Sequence, residues 1–196
     1  MKLEIRDYQV LGLEMAIHAM RNPMDSWDKS DSWGGSSLAF NVGPRDAELA
    51  LKLIKAGKDH RKFLRLIHIQ VFLVLPRYIL TELDTYKVAT TRLSCSTMHK
   101  LGHRDLTRND FMDGLVLNET LYRLNQLGER YRDKREVEVL REMKQILPEG
   151  YLQGGTFDFS YETAINIYHA RKNHRMKEWH VICDWIKGLP MMDEWL

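Results

Sequence analysis

The densest run of side chains able to hold a ligand lies between Tyr78 and His103. It contains Glu82, Asp84, Tyr86, Lys87, Thr90, Thr91, Arg92, Ser94, Cys95, Ser96, Thr97, Met98, His99 and Lys100. Hydroxyls interleaved with cations suit an anionic, hydrogen-bonding ligand such as a nucleotide, because the cations supply charge-assisted hydrogen bonds. The same composition also describes a polar, turn-rich surface loop, and composition alone favours that reading. A second cluster comprises His169, Arg171, Lys172, His174, Arg175 and Lys177, with Asn166 five residues before Arg171. It is either part of an anion site or a solvated helix end whose cations offset the C-terminal dipole. Two such clusters in a chain of formal net charge +2 hint at one shared anion site. Spacing alone does not make them meet.

Other chemistry is thinly represented. His99 and His103 are four apart, with Asp105 beyond them, but Gly102 intervenes and no third ligand follows at motif spacing. They read as surface or hydrogen-bonded histidines, and no metal is expected. Gly34-Gly35 and Gly154-Gly155 lack the surroundings of a phosphate loop, and there is no GxSxG nucleophile turn. The 2 cysteines, Cys95 and Cys183, give neither a disulfide framework nor a four-cysteine zinc site, and read as reduced thiols of a cytoplasmic protein. Lys plus Arg is 29 against 27 for Asp plus Glu, which argues against an extended nucleic-acid surface. Met1 to Tyr8 alternates charged and apolar residues, unlike a leader peptide. The longest apolar run, Val71 to Leu75, is far short of the roughly 20 residues that span a bilayer.

The elements that must position these groups follow from periodicity. Leu3, Ile5 and Tyr8 suggest an edge strand, and Val10 to Met20 a helix ending near Asn22-Pro23. Asn22 to Gly43 is long and polar yet carries Trp27 and Trp33, so a functional, mobile loop is expected at about 22–44. A helix follows over Asp46 to Ala56, with Gly57 placed as its C-terminal cap. Arg65 to Leu75 is the best strand, and Pro76 ends it and opens a helix over Arg77 to about Val88. Leu117, Leu121, Leu124 and Tyr131 form one helical stripe, and Val137, Leu140, Met143 and Leu147 another. Tyr151 to Phe159 reads as a loop or short strand. Two helices close the chain, Tyr161 to Lys172 and Met176 to Lys187. The 196 residues, 44% of them hydrophobic, are expected to form a single α+β domain over 1–196.

This order of pieces resembles the flavin-dependent thymidylate synthases over almost the whole chain. The matching stretches are Leu53-Ile54 through Gly57-Lys58-Asp59-His60, then Val71 through Leu75-Pro76-Arg77-Tyr78, then Leu147-Pro148. Asn166-Ile167-Tyr168-His169-Ala170-Arg171 looks like the family's flavin-contacting Asn followed at the same spacing by its nucleotide-contacting Arg. Lys177-Glu178-Trp179-His180-Val181 stands where the family has Ala-Gln-Trp-Glu-Ile. The family signature RHRxxSxNExSxRY is degenerate. Its first six positions fall on Thr85-Tyr86-Lys87-Val88-Ala89-Thr90, where only Lys87 keeps a cation and Thr90 a hydroxyl. Its second Ser falls on Cys95 or Ser96, and its later Arg on Thr97 or Met98. In the turn that usually reads His-x-Ser-Pro-Phe-Glu-His, His60 keeps the first His and the second is missing.

The resemblance implies a small antiparallel sheet with several helices, and a homotetramer with flavin sites between subunits. It implies FAD-dependent one-carbon transfer to a pyrimidine deoxynucleotide, dUMP to dTMP or a related modification. NADPH and methylenetetrahydrofolate would be co-substrates, and no enzyme nucleophile would be bonded to the base. His60, Lys87, Thr90 and Asn166 would then hold the cofactor, and Arg92, Ser94, Cys95, Ser96 and Arg171 the nucleotide, with Arg171 and Ser96 nearest the chemistry. The alternative is a family member that binds a nucleotide or a protein without flavin chemistry.

Overall fold

In a computed structural model that describes residues 3–35 and 38–196, the chain opens on strand β1 (Glu4–Leu11). The strand runs further than apolar periodicity suggests, so α1 (Leu13–Ala19) starts three residues later than Val10. The turn between them needs Gly12: its φ is +81°, and a Cβ there would lie 2.3 Å from the Leu66 carbonyl oxygen. Met1, Lys2, Ser36 and Ser37, which belong to stretches interpreted above, lie outside the described residues.

The polar segment after α1 is structured by its own side chains. Two 3₁₀ turns, Asn22–Met24 and Trp27–Lys29, lead into an antiparallel hairpin of β2 (Trp33–Gly35) and β3 (Leu38–Asn41). Asp46, 0% exposed on the first turn of α2 (Pro44–Lys55), organises the segment. Its carboxylate accepts from Arg21 Nε at 2.6 Å, from the Ser30 and Ser32 hydroxyls at 2.6 and 2.5 Å, and from the Ser32 N–H at 3.2 Å. Asp31 in turn accepts the Arg45 and Asp46 N–H groups at the start of α2.

A 3₁₀ turn, Lys62–Arg65, buries Phe63 and Leu64, which moves the start of β4 (His68–Pro76) past Arg65. Ile69, Val71, Leu73 and Leu75 are buried, and the residues between them half-buried, as expected for a strand with one covered face. Pro76 precedes α3 (Arg77–Leu83), which stops short of Val88. Ala89 beyond it takes a left-handed φ of 50° before β5 (Thr90–Ser94). Then come α4 (Thr97–Lys100), α5 (Asn118–Lys134) and α6 (Val137–Ile146). Leu124 and Leu127 of α5 pack with Leu140 and Met143 of α6 around buried Phe111. The stretch from Tyr151, read as a loop or short strand, is a nine-residue strand, β6 (Leu152–Ser160). The chain ends with α7 (Tyr161–Arg171), α8 (Lys177–Lys187) and the short α9 (Met192–Trp195), a turn too brief for periodicity to reveal.

The principal sheet has the order β1-β4-β6-β5, which leaves β1 and β5 at the edges. The architecture is α+β with a small antiparallel sheet. The chain divides into two compact units, each discontinuous in sequence. The first comprises Met1–Asp7, Val71–Thr85 and Arg92–Phe157, and holds the α5–α6 pair. The second comprises Tyr8–Gln70, Tyr86–Thr91 and Asp158–Leu196, and holds the hairpin, α7 and α8. Among the described residues no helix is long and apolar enough to cross a membrane.

Candidate functional site

Helix α7 carries the best-preserved spacing of the sequence, and it is fixed from both ends. The Ser160 side chain caps it by accepting the Thr163 N–H at 3.2 Å. Ala164, Ile165 and Ile167 are buried, whereas Asn166 is exposed. In its first turn Glu162 accepts from Arg65 Nε at 2.6 Å and Arg61 Nε at 3.3 Å, and Arg61 also donates to Asn166 Oδ1 at 3.4 Å. Burial pushes the Glu162 carboxyl up, but the hydrogen bonds and charges of Arg65 and Arg61 outweigh it and hold the group below its usual range. The turn that follows His60 is thereby tied to the helix, one residue away from an exposed imidazole whose backbone N–H bonds to the Gly57 carbonyl.

At the other end of α7 the Arg171 Nε donates to the Tyr86 hydroxyl at 3.0 Å. Its guanidinium lies 4.7 Å from the Trp179 ring centroid and 5.7 Å from that of Tyr86. Two aromatic faces therefore hold a planar cation in one orientation. Thr163 Oγ1 donates to the Val88 carbonyl at 2.9 Å, so the stretch Tyr86–Val88 is bound to α7 at two points. Thr90 bonds locally, to the Val88 carbonyl, and Lys87 is exposed and makes no ion pair among the described residues. Burial, then the charges of Lys172 and Arg61, hold the His169 imidazole below its usual range. The five candidates His60, Lys87, Thr90, Asn166 and Arg171 thus fall in one unit, the first four on or beside segments that α7 anchors.

Arg92, Ser94, Cys95 and Ser96 fall in the other unit. Arg92 pairs with Asp84 at 3.0 Å, and its guanidinium stands 5.9 Å from the Phe157 ring centroid. With Arg77, Thr81, Thr97 and Gln153 it lines a polar cavity of about 300 Å³. The Nε of Arg77 is buried without a hydrogen-bond partner among the described residues. Ser94 and Cys95 are exposed. The Cys95 backbone is pinned on both sides, its N–H to the Gly154 carbonyl at 2.8 Å and its carbonyl to Gln153 Nε2 at 2.7 Å. Ser96 caps α4 by accepting the His99 N–H at 3.3 Å, which leaves its own hydroxyl hydrogen for another acceptor.

Several participants escape a reading of the sequence. Arg61 and Arg65 form an ion-pair group with Glu162, which lies about 100 residues further along the chain, with no local signal. Tyr86 and Trp179, far apart in sequence, meet edge to face beside Arg171. On the half-buried face of β4, Gln70 and His68 both bond the Asp158 carboxylate, at 2.9 and 2.6 Å. Their alternate spacing in an otherwise apolar strand was the available clue.

No family model matches the sequence, and no curated protein does. Solved structures match its fold from end to end. A flavin-dependent thymidylate synthase, ThyX, of Helicobacter pylori complexed with FAD and dUMP superposes with a TM-score of 0.71 at 16% identity, over 97% of this chain and 94% of that one. A second structure of ThyX from that organism, also with FAD and dUMP, gives 0.72 at 17% identity, over 100% and 96%. A UMP/dUMP methylase, PolB, of Streptomyces cacaoi bound with 5-Br dUMP gives 0.65 at 12% identity, over 98% and 93%. The chain therefore has the fold of these nucleotide-modifying enzymes.

Proposed function

We propose that this protein binds FAD and a pyrimidine deoxynucleotide and transfers a one-carbon unit to the base, converting dUMP to dTMP or making a related modification. The observation that carries the reading is the end-to-end match of fold to ThyX structures that hold FAD and dUMP. Asn166 and Arg171 keep their spacing on the helix that two other segments are tied to. Their surroundings fit a large anionic cofactor: Lys87 is an exposed cation with no ion pair among the described residues, Thr90 offers a hydroxyl, and Asn166 and His60 stand exposed. These four residues would hold FAD, which when bound supplies the reducing equivalents for the transferred carbon. NADPH and methylenetetrahydrofolate would act as reductant and carbon donor.

For the nucleotide, a guanidinium fixed by Trp179 and Tyr86 is pre-oriented to grip a phosphate or pyrimidine carbonyl without paying to order itself on binding. Arg171 placed at the base would stabilise negative charge developing on the ring. Ser94, Cys95 and Ser96 would supply hydroxyl, thiol and backbone contacts, and Arg92 a second cation. In a homotetramer, these two groups of residues would be contributed by different subunits to one site.

A second reading keeps the nucleotide and drops the flavin. It is favoured by one feature: where the family signature has an Arg-His pair, Tyr86 spends its hydroxyl on Arg171 and its ring on Trp179. The two readings separate on purified protein incubated with FAD, then with dUMP, NADPH and methylenetetrahydrofolate. Bound flavin and a base heavier by one methyl group support the first. A nucleotide complex without flavin uptake supports the second.

A further inference from the structure

Beside α1 and the β2–β3 hairpin, within the second unit, two cavities adjoin. The walls of the larger, of about 600 Å³, include Glu14, Met15, His18, Ser30, Ser32 and Phe40. The smaller, of about 390 Å³, shares Gly12, Glu14 and Phe40 with it and is otherwise lined by Val10, Leu13 and Pro190. Volumes of this order hold small organic ligands, whose sites span roughly 300–1,000 Å³. The larger cavity is of mixed character, and the smaller is apolar apart from Glu14, which stands where the two meet.

Charge decides what can enter. Among the described residues Glu14 is the only acidic member of either wall, and neither wall holds a lysine or an arginine. Its carboxylate forms no hydrogen bond or ion pair with the described residues. It lies against Gly35, where a Cβ would come within 2.7 and 2.8 Å of its two oxygens, so the glycine leaves the carboxylate its place. Behind the serines, Asp46 and Arg21 offset each other's charge at 2.6 Å. An anion here would meet uncompensated negative charge, and a cation would relieve it.

The neutral polar groups do not reverse that preference. Ser32 is spent: its hydroxyl donates to Asp46 at 2.5 Å and its oxygen accepts the Gly43 N–H at 3.0 Å. Ser30 donates to the same carboxylate at 2.6 Å, which leaves it lone pairs to offer. His18 brings a ring N–H, but the residue is exposed and water satisfies that donor. Its ring is stacked on Trp27, with centroids 6.1 Å apart. Beside the carboxylate, Met15 is 65% exposed and supplies soft apolar surface, and Phe40 supplies an aromatic face of the kind that attracts a cation.

We infer that these cavities bind an amphipathic amine, with its protonated amino group on the Glu14 carboxylate and its hydrocarbon tail running past Phe40 between Val10, Leu13 and Pro190. The ammonium group carries three hydrogens and no lone pair, which suits a wall whose one full charge is an acceptor. The tail gains by leaving water, and each methylene it buries multiplies affinity about fourfold. The site uses none of the residues proposed for FAD or dUMP, and its ligand bears the opposite charge, so the inference does not depend on that reading.

Isothermal titration of the whole chain at neutral pH tests it. Methylamine, butylamine and hexylamine are the probes, and 1-hexanol and hexanoate are the controls that keep a six-carbon chain and change its head. Affinity should rise about fourfold per methylene along the amines. Hexanol and hexanoate should bind about tenfold more weakly than hexylamine, or worse, because each loses the charge-assisted hydrogen bond to Glu14. Glu14→Gln, a change at an exposed position, should weaken hexylamine about tenfold while leaving dUMP affinity unchanged. The inference is overturned if hexylamine does not bind at millimolar concentration, if hexanol or hexanoate matches it, if the amine series is flat, or if Glu14→Gln leaves hexylamine affinity as it was. The comparison of heads uses the unaltered protein, so it stands even if the variant folds poorly.

Discussion

Replacing Asp46 by Asn is the most informative single change to the frame. The carboxylate is 0% exposed and Arg21 only 5%, so the pair sits in a low-dielectric setting where the loss of one partner strands the other. Asn keeps the size but removes the charge, and its amide end would face the Ser30 and Ser32 hydroxyls and the Arg21 guanidinium with hydrogens of its own. Breaking a buried pair in this way costs about 3–5 kcal/mol. For a chain of this size that is a fall in melting temperature of roughly 6–20 °C. Ser30→Ala, which removes one hydrogen bond to a charged group, should cost less, about 1.5–3 kcal/mol. Thermal unfolding followed by near-ultraviolet circular dichroism would read both, because Trp27 and Trp33 lie in the segment that Asp46 holds. An Asp46→Asn protein that melts within about 2 °C of wild type would refute the argument.

Other expectations follow from the same structure. Arg171→Ala should abolish the thermal stabilisation that dUMP confers, about 2.7 kcal/mol at a hundred times Kd. It should also cost the free protein about 1–2 kcal/mol of cation–π packing. Arg171→Lys should recover part of the second loss and none of the first, and equal dUMP titrations for wild type and Arg171→Ala would end the case. Ser96→Ala should weaken dUMP binding by the worth of one hydrogen bond, about 0.5–1.5 kcal/mol, with the fold retained. A loss seen with Ser94→Ala instead would move the contact by two residues. Asp46 and Glu162 both have carboxyls held below their unfolded values, so their stabilisation is complete above those values and is lost as pH falls through the depressed ones. Melting temperature should be level from neutral pH to about 5 and fall below about 4, more gently in Glu162→Gln than in wild type.

How legible the fold was depended on where its signal lay. The alternation of β4 and the stripes of α5, α6 and α8 are local, one side chain to the next, and so they were visible. The exceptions are the starts of α5 and α6, where Leu117 precedes the helix and both Leu117 and Val137 are exposed because helix ends lie beyond the packed face. Trp179, Ile182, Cys183 and Ile186, spaced as a helix face, are all buried. The segment from Asn22 to Gly43 looked like a loop because serine, aspartate and glycine favour turns in isolation. Its order comes from Asp46 and Asp31, whose partners lie 14 to 25 residues away. The strand β6 was obscured by Gly154-Gly155, which lack the side chains that mark a strand. At the site, the Asn166–Arg171 spacing could be read from the chain, whereas the aromatic cradle of Arg171 could not, since Tyr86 is 85 residues from it.

The central claim is that a flavin-dependent one-carbon chemistry runs on this fold, and the most direct test is the visible spectrum of the purified protein with FAD, before and after dUMP. The account predicts protein-bound flavin whose absorbance bands shift when dUMP is added, with both the binding and the shift reduced in Asn166→Ala and the shift lost in Arg171→Ala. A colourless protein that leaves the absorbance and fluorescence of added FAD unchanged, with dUMP present or not, would contradict it.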